Sequence, residues 1–473
     1  MPNRRLVARA PLDELVPRFV QIREEEGVRV TRGAAVLAEV ADREEEPKHI
    51  VGDRVDLTDL PFVTIDPDGS RDLDQAIHME RAGDGWRIRY AIADVAAHVS
   101  PRGALDADTW DRVETVYCPD LIVGLHPPTM SEGYASLLPG QRTKAVVWDL
   151  VVAGDGTLRS TDVRRGWVVC VRQYSYAELA DAPPPEAVAL VSLLAEFGAA
   201  RRSVLREAGA VTLPKPSQEV ERDQGGLRLA FRAARGIEDD NAQVSLVTGM
   251  AAARLMLDAG VGVLRTMPPA SDDAVRRLKR QALALGVDWP RGAEYSGVLD
   301  TIDAASATGA AFLTAAVTLF RGAAWEPFDA SRGLPAPDNV THGALAAPYA
   351  HVTAPLRRLV DRYGTEICVA HAAGQPVPSW VTDALRGLGK TMISGVRRGG
   401  RVDRACIDAV EAAVLDSHVG EEFAAVGLDK DTIQLAEPAV VARCTGDIRV
   451  GRRMRATLVH ADIRDGVRFE AAP

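Results

Sequence analysis

Phe62-Val63-Thr64-Ile65-Asp66-Pro67-Asp68-Gly69-Ser70-Arg71-Asp72-Leu73-Asp74-Gln75 is the stretch from which the rest of the chain is read. Phe62–Ile65 is a β-branched and aromatic run of strand type, Asp66 ends it, and Pro67 to Ser70 supply turn chemistry. Asp72 and Asp74 follow with period-two spacing, so an extended backbone sets both carboxylates on one side. Acids crowded at a strand turn repel one another unless protonated or bridged by a cation. Hard oxygen ligands with no His or Cys beside them favour Mg²⁺ or Mn²⁺ over zinc. Such an ion polarises a phosphate oxygen, lowers the pKa of bound water and orients in-line attack. Taken alone, the loop is more plainly read as an acidic surface turn.

Working outward, Trp86–Ala93 and Ala145–Val152 have strand character, while Ala242–Ala259 and Asp272–Leu285 have helical spacing. Pro183–Pro185 and Pro268–Pro269 mark loops. Toward the N-terminus, Leu12, Leu15, Val16 and Phe19 follow a helical period despite Pro17, and a second short helix after Thr31 carries Val36, Leu37 and Val40. These two read as a small helical module, either helix-turn-helix-like or a simple cap, with Arg43–Pro47 as a linker. After Leu415 the segments become short and alternating, and Asp465-Gly466 between two apolar runs predicts a tight hairpin. Several such strands predict a small antiparallel barrel of the oligonucleotide-binding (OB) type. The expected fold class is α+β multidomain: a helical module over 1–55, a mixed α/β catalytic domain over 56–414, and an all-β OB barrel over 415–473.

A length of 473 residues exceeds one compact core, and 47% hydrophobic with 26% charged residues describes a soluble globular chain. No apolar run approaches a membrane span, and Met1–Arg9 lacks the apolar stretch of a signal peptide. The five cysteines are scattered, which disfavours a disulfide framework or structural zinc and points to a reducing, cytoplasmic setting. A net charge of −10 argues against a polyanion partner, but Arg357, Arg358 and Arg362, then Arg397, Arg398, Arg401 and Arg404, form basic clusters. An acidic exterior around a basic interior reconciles the two; solvated helix faces are the plainer alternative.

The acidic loop resembles the signature of the RNB catalytic domain of the ribonuclease II and ribonuclease R family. Ile92-Ala93-Asp94-Val95, Tyr117-Cys118-Pro119, His126-Pro127-Pro128, Ser136-Leu137 and Ser175-Tyr176 resemble further landmarks in family order. Most specific is Tyr349-Ala350-His351-Val352-Thr353-Ala354-Pro355-Leu356-Arg357-Arg358 with Asp361 behind it, similar to the family's Tyr-x-His-x-Thr-Ser-Pro-Ile-Arg-Arg motif. The resemblance implies Mg²⁺-dependent, processive hydrolysis of single-stranded RNA from its 3′ end to nucleoside 5′-monophosphates, by a protein expected to be monomeric. It assigns Asp66, Asp72, Asp74 and Gln75 to the metal, with Asp74, Asp72 and Arg357 catalytic. Tyr117 packs on the terminal nucleotide, and Arg357, Arg358, Asp403 and Arg404 hold RNA. Asp403 falls where the family has a glutamate near the product end; a pair with Arg401 or Arg404 is its plainer reading. Met267 lies where some members carry a second stacking aromatic, or else fills core, and His351 reads as structural.

Three departures stand out. The family loop ends Asp-x-Asp-Asp, whereas Gln75 closes this one, removing a negative charge. Ala354 and Leu359 replace the usual serine and tyrosine, and Met1–Val55 lacks the pattern of the family's N-terminal cold-shock barrels. A catalytically weakened RNA-binding protein that keeps the RNB fold is therefore the rival expectation.

Overall fold

The computed structural model describes residues 10–42, 47–213, 216–223, 226–435 and 437–472; residues 43–46, most of the expected linker, lie outside them. Two helices come first, α1 (Leu12–Glu25) and α2 (Ala34–Ala41). They do not form one module. The single apolar stripe of α1 buries Leu15, Phe19 and Ile22 in a core shared with the C-terminal barrel. The stripe of α2 buries Val36 and Val40 beneath the central sheet. The helix-turn-helix-like reading gives way to two separate braces.

The central sheet contains β1 (Arg54–Asp56), β2 (Phe62–Asp66), β3 (Gln75–Ala82), β4 (Gly85–Ala93), then, after α3 (Ala104–Arg112), β5 (Arg142–Val152) and β6 (Leu158–Ser175). Their order is β1-β6-β2-β3-β4-β5. The long β6 pairs antiparallel with β5 over Leu158–Val169 and parallel with β2 over Cys170–Ser175, so the sheet curls back on itself. Period-two alternation divides its side chains between two cores. Ile77, Ile88, Tyr90 and Trp148 face helices α4 (Gly236–Ala259) and α5 (Leu359–Ala372), while Ala76, Ala91 and Phe62 face Leu105, Met130 and Leu137. Burial on both faces explains why β4 is apolar along most of its length. Against this body, β7 (Val261–Thr266) and β8 (Ala324–Asp329) form an antiparallel ribbon.

Helix α6 (Ser379–Leu415) is 37 residues long, roughly 55 Å at 1.5 Å per residue. Its first half packs Val381, Leu385 and Met392 into the sheet-and-helix core, and its second half packs Val402, Cys406 and Val410 against the barrel. One helix thus fixes the barrel relative to the sheet. Five strands close that barrel, β9 (Glu422–Gly427), β10 (Thr432–Leu435), β11 (Val440–Thr445), β12 (Arg453–Asp462) and β13 (Gly466–Ala471). The predicted hairpin joins β12 to β13, but its turn is Ile463–Asp465, with Gly466 at φ +73° as the residue that re-enters the strand. Asp462 holds the turn by accepting the Arg464 and Asp465 N–H groups.

Glu411 sits at the seam between α6 and the barrel, where its Oε1 accepts from Gln218 Nε2 at 2.7 Å and from the Val441 N–H at 3.1 Å. Burial pushes its carboxyl up to about 7, against help from Gln218 and Val441. The folded chain therefore holds this proton to about pH 7, whereas the unfolded chain releases it near 4.5. Folded protein binds more protons in that window, so stability falls as pH rises through it. Glu411→Gln keeps an acceptor oxygen and removes the charge. It is expected to raise Tm at pH 8 and leave it nearly unchanged at pH 4.5; equal changes at both pH values in thermal melts would refute the assignment.

Candidate active site

The acidic loop spans one end of the sheet. Asp66 is the last residue of β2, opposite Ser175 of β6, and Gln75 is the first residue of β3, opposite Ile92. Between them, residues 71–74 are held extended without belonging to a strand. Leu73 N–H donates to Ser136 Oγ at 2.9 Å, Ser136 Oγ donates to Arg71 O, Leu137 N–H donates to Leu73 O, and Ala93 N–H donates to Asp74 O. Leu73 is fully buried in the lower core, which orients Asp72 and Asp74 away from that core. The period-two expectation holds because Ser136 and Leu137 supply the missing ladder partner.

The second component is the loop 349–358, tied to the first at several points. Leu356 N–H donates to Asp74 Oδ1 at 2.7 Å, and Gln75 Nε2 donates to Thr353 O at 2.7 Å. Asp361, fully buried, accepts from Ala354 N–H and from the Arg358 guanidinium. His126 Nδ1 lies 2.9 Å from Leu356 O, which can only accept, so His126 donates there. Burial, opposed by that hydrogen bond, pushes its imidazole down to about 3, and the ring is neutral. Gly249 permits the loop's approach: a Cβ there would lie 2.2 Å from the Tyr349 ring and 2.6 Å from Ala350 O. Arg357 is the loop's outward residue, its Nε 3.7 Å from Asp74 Oδ2.

The third component starts from strained backbone. Val113, a β-branched residue, ends α3 at φ +71°, a conformation that L-residues adopt only under constraint. The reversal directs Glu114–Tyr117 alongside the arginine loop: Thr115 N–H donates to Arg357 O and Leu359 N–H donates to Val113 O. Tyr117 remains 50% exposed, with one face open to a cleft of about 390 Å³. Arg265, Trp325, His351, Arg357, Arg358 and Asp403 also line that cleft. Burial and the nearby Asp72 carboxylate push the Tyr117 phenol up to about 12, so it stays a neutral ring.

Burial is the chief strain on the acid set, with like charge adding to it at Asp66 and Asp74. Burial and then Asp72 push the Asp66 carboxyl up to about 7, with Arg357 opposing. Burial raises Asp72, and raises the 5% exposed Asp74 well above the ordinary range. Asp66 Oδ2 is buried with no hydrogen-bond partner. Among the described residues, no three His, Cys, Asp or Glu side chains already form a tight metal cage. The donor set nonetheless fits a hard divalent cation: carboxylate oxygens only, mutually repelling, one of them orphaned.

Gln75, the remaining residue expected at the metal, makes contacts of its own. Its Oε1 accepts from Tyr90 Oη and lies 3.4 Å from Ser245 Oγ, while its amide donates to Thr353 O. The carboxamide is a strut between the two loops, and its oxygen is already engaged. The basic interior also shrinks. Arg362 is buried on Asp106, Arg398 donates to the Asp111 and Arg112 carbonyls, and Arg401 pairs with Glu26. Arg404 pairs with Asp408 at 3.0 Å and lines a larger cavity of about 900 Å³ between α6 and the barrel; Asp403 borders that cavity and the cleft alike. Met267 is 5% exposed and fills core, so it offers no stacking face. Sequence reasoning missed Arg265 and Trp325, which lie about sixty residues apart and carry no motif; only the β7–β8 pairing brings them together.

The acid loop is stitched to an arginine loop, and the arginine loop lines a cleft with an exposed tyrosine on the side of the small barrel. Residues 54–370 match the RNB domain, and residues 421–472 match the RNase II-type exonuclease C-terminal S1 domain. The chain belongs to the RNB-domain family of ribonuclease II and ribonuclease R. Ribonuclease R of Vibrio parahaemolyticus is 27% identical over 431 residues, which is 81% of this chain and 48% of that protein. Ribonuclease R of Escherichia coli is 28% identical over 360 residues, 69% of this chain and 41% of that protein. The chain thus spans under half the length of these curated relatives. The apo structure of Mycoplasma genitalium RNase R superposes with a TM-score of 0.85 at 16% identity, over 97% of this chain and 78% of that one, a likeness of fold.

Proposed function

We propose that the chain is a 3′-to-5′ exoribonuclease that degrades single-stranded RNA processively to nucleoside 5′-monophosphates, acting as a cytoplasmic monomer with Mg²⁺, or Mn²⁺ in its place. The observation that carries this reading is the stitched pair of loops. Asp74 is bonded to the backbone of the arginine loop and sits 3.7 Å from Arg357, so carboxylate and guanidinium address one point. Asp66, Asp72 and Asp74 would hold the cation, which supplies Lewis acidity and an activated water when bound. Asp74 is the residue best set to orient that water. Arg357 supplies fixed positive charge where the phosphorane gathers negative charge. Tyr117 stacks on any base, which suits indifference to sequence. Arg358, held by Asp361, keeps Arg357 at its station, and Asp403 and Arg404 lie on the path toward the barrel, which would grip incoming strand. The solved Mycoplasma genitalium RNase R bound to single-stranded RNA supports the substrate class.

The test is 5′-labelled single-stranded RNA incubated with the protein and Mg²⁺, with products resolved by length. The expected result is conversion of full-length RNA to a short 5′-labelled end product with few intermediates, and immediate release of labelled mononucleotide when the label is moved to the 3′ end. Tight binding without cleavage at any Mg²⁺ or Mn²⁺ concentration would instead favour the weakened RNA-binding reading. Cleavage of mononucleotide esters alone would overturn both.

A further inference from the structure

Three arginines line the Tyr117 cleft, and two of them already face acids. Arg357 lies against Asp74, and Arg358 Nη2 donates to Asp361 at 2.7 Å. Arg265 differs. Among the described residues no carboxylate lies within ion-pair distance of it; Glu114 and Asp403 line the same cleft but do not reach it. Its Nη1 is buried with no hydrogen-bond partner. A half-buried guanidinium with no counter-charge and a donor left unsatisfied is costly, and an anion entering the cleft would relieve that cost.

The fold goes to some length to hold this group in place. Arg265 and Trp325 are directly opposite in the β7–β8 ribbon, and the guanidinium stacks 3.8 Å from the indole centroid. Trp325 Nε1 donates to His351 Nδ1 at 3.2 Å, and the Arg265 N–H donates to Tyr349 O at 2.8 Å. Burial drives the His351 imidazole well below its ordinary range, consistent with a neutral ring accepting at Nδ1. Burial, with Arg358, pushes Arg265 down to about 10, which leaves it fully charged at neutral pH. The planar fork is thus pre-oriented on an aromatic wall of the cleft, with donors to spare.

We propose that Arg265 is a phosphate-binding residue that holds one internucleotide phosphate of the strand whose 3′ end reaches Tyr117, fixing how far the strand advances. This rests on the exoribonuclease reading above, and the test separates the two. A series of RNA oligonucleotides, each with a single neutral methylphosphonate linkage, is bound to wild type, Arg265→Gln and Arg265→Lys, and cleaved in parallel. In wild type one linkage position near the 3′ end should weaken binding roughly 10–100-fold, the range of a charged hydrogen-bonded contact. Arg265→Gln should lose that sensitivity at that position alone, raise KM more than it lowers kcat, and flatten the slope of log affinity against log salt by about 0.7. Arg265→Lys should keep the salt slope while losing part of the affinity, because the charge stays and the stacked fork does not. A wild-type enzyme that degrades RNA yet has no position-specific methylphosphonate effect overturns the inference and spares the exoribonuclease reading, with no variant needed. So does Arg265→Gln that folds and keeps the same sensitive position. Wild type that neither binds nor cleaves RNA overturns both.

Discussion

Asp74→Asn should lower kcat on single-stranded RNA by about 10²–10³-fold while RNA affinity stays within a few fold. The substitution isolates charge from shape. Asp74 Oδ1 accepts the Leu356 N–H at 2.7 Å, and an asparagine oxygen keeps that bond, so the arginine loop should remain docked. What is lost is the negative charge 3.7 Å from Arg357 and the donor closest to the point where the two loops meet. The surrounding site offers no ready substitute: burial pushes the Asp66 carboxyl up to about 7 and raises that of Asp72, and Gln75 is bound to Tyr90 and Thr353. If Asp74 served only to anchor Leu356, asparagine would behave like wild type in both binding and cleavage. A cleavage assay run beside equilibrium binding on the same RNA distinguishes these outcomes, and retained rapid cleavage would remove Asp74 from the catalytic role.

The legibility of the site followed the range of the interactions that make it. The acid loop and the arginine motif are local runs whose residues stay close together after folding, and both were readable from short windows, as were β2, β4 and the helix Asp272–Leu285. The C-terminal barrel was readable because a closed sheet of short strands imposes alternation and turn residues at each reversal. Sequence says least where one side chain has several partners to choose from. Gln75 sits in the metal motif, but its amide is captured by Thr353, 278 residues away in sequence, and no window of sequence contains that contact. On α6, Arg401 pairs with Glu26 and Arg398 donates to two carbonyls of α3, contacts that lie outside any short window, while Arg404 pairs with Asp408 one turn on. Arg265 had the opposite fate, an isolated arginine that the β7–β8 register brings to the cleft.

Asp94→Ala should destabilise the central sheet by about 3–5 kcal/mol, the range for removing one partner of a buried ion pair. Asp94 Oδ2 accepts from Arg54 at 2.8 Å and from Arg165 at 2.6 Å, and Arg165 also bonds Glu366; Asp94, Arg165 and Glu366 are each no more than 2% exposed. Burial opposes ionisation of Asp94, but the Arg165 and Arg54 guanidinium groups together hold its carboxyl well below the ordinary range. The Asp94 carboxylate is thus shared by two buried guanidinium groups, and alanine removes it from both. Asp94 also caps the short helical turn that follows β4, accepting the Ala97 N–H. Asp94→Asn separates the two roles, since an amide oxygen can still cap but cannot neutralise. Chemical denaturation should find asparagine nearly as damaging as alanine; near wild-type stability for asparagine would assign the effect to the cap. The consequence reaches the site through backbone alone, because Ala93, the residue before Asp94, donates its N–H to Asp74 O. Asp94 variants should therefore lose stability and activity together, whereas Asp74→Asn should lose activity with the fold intact.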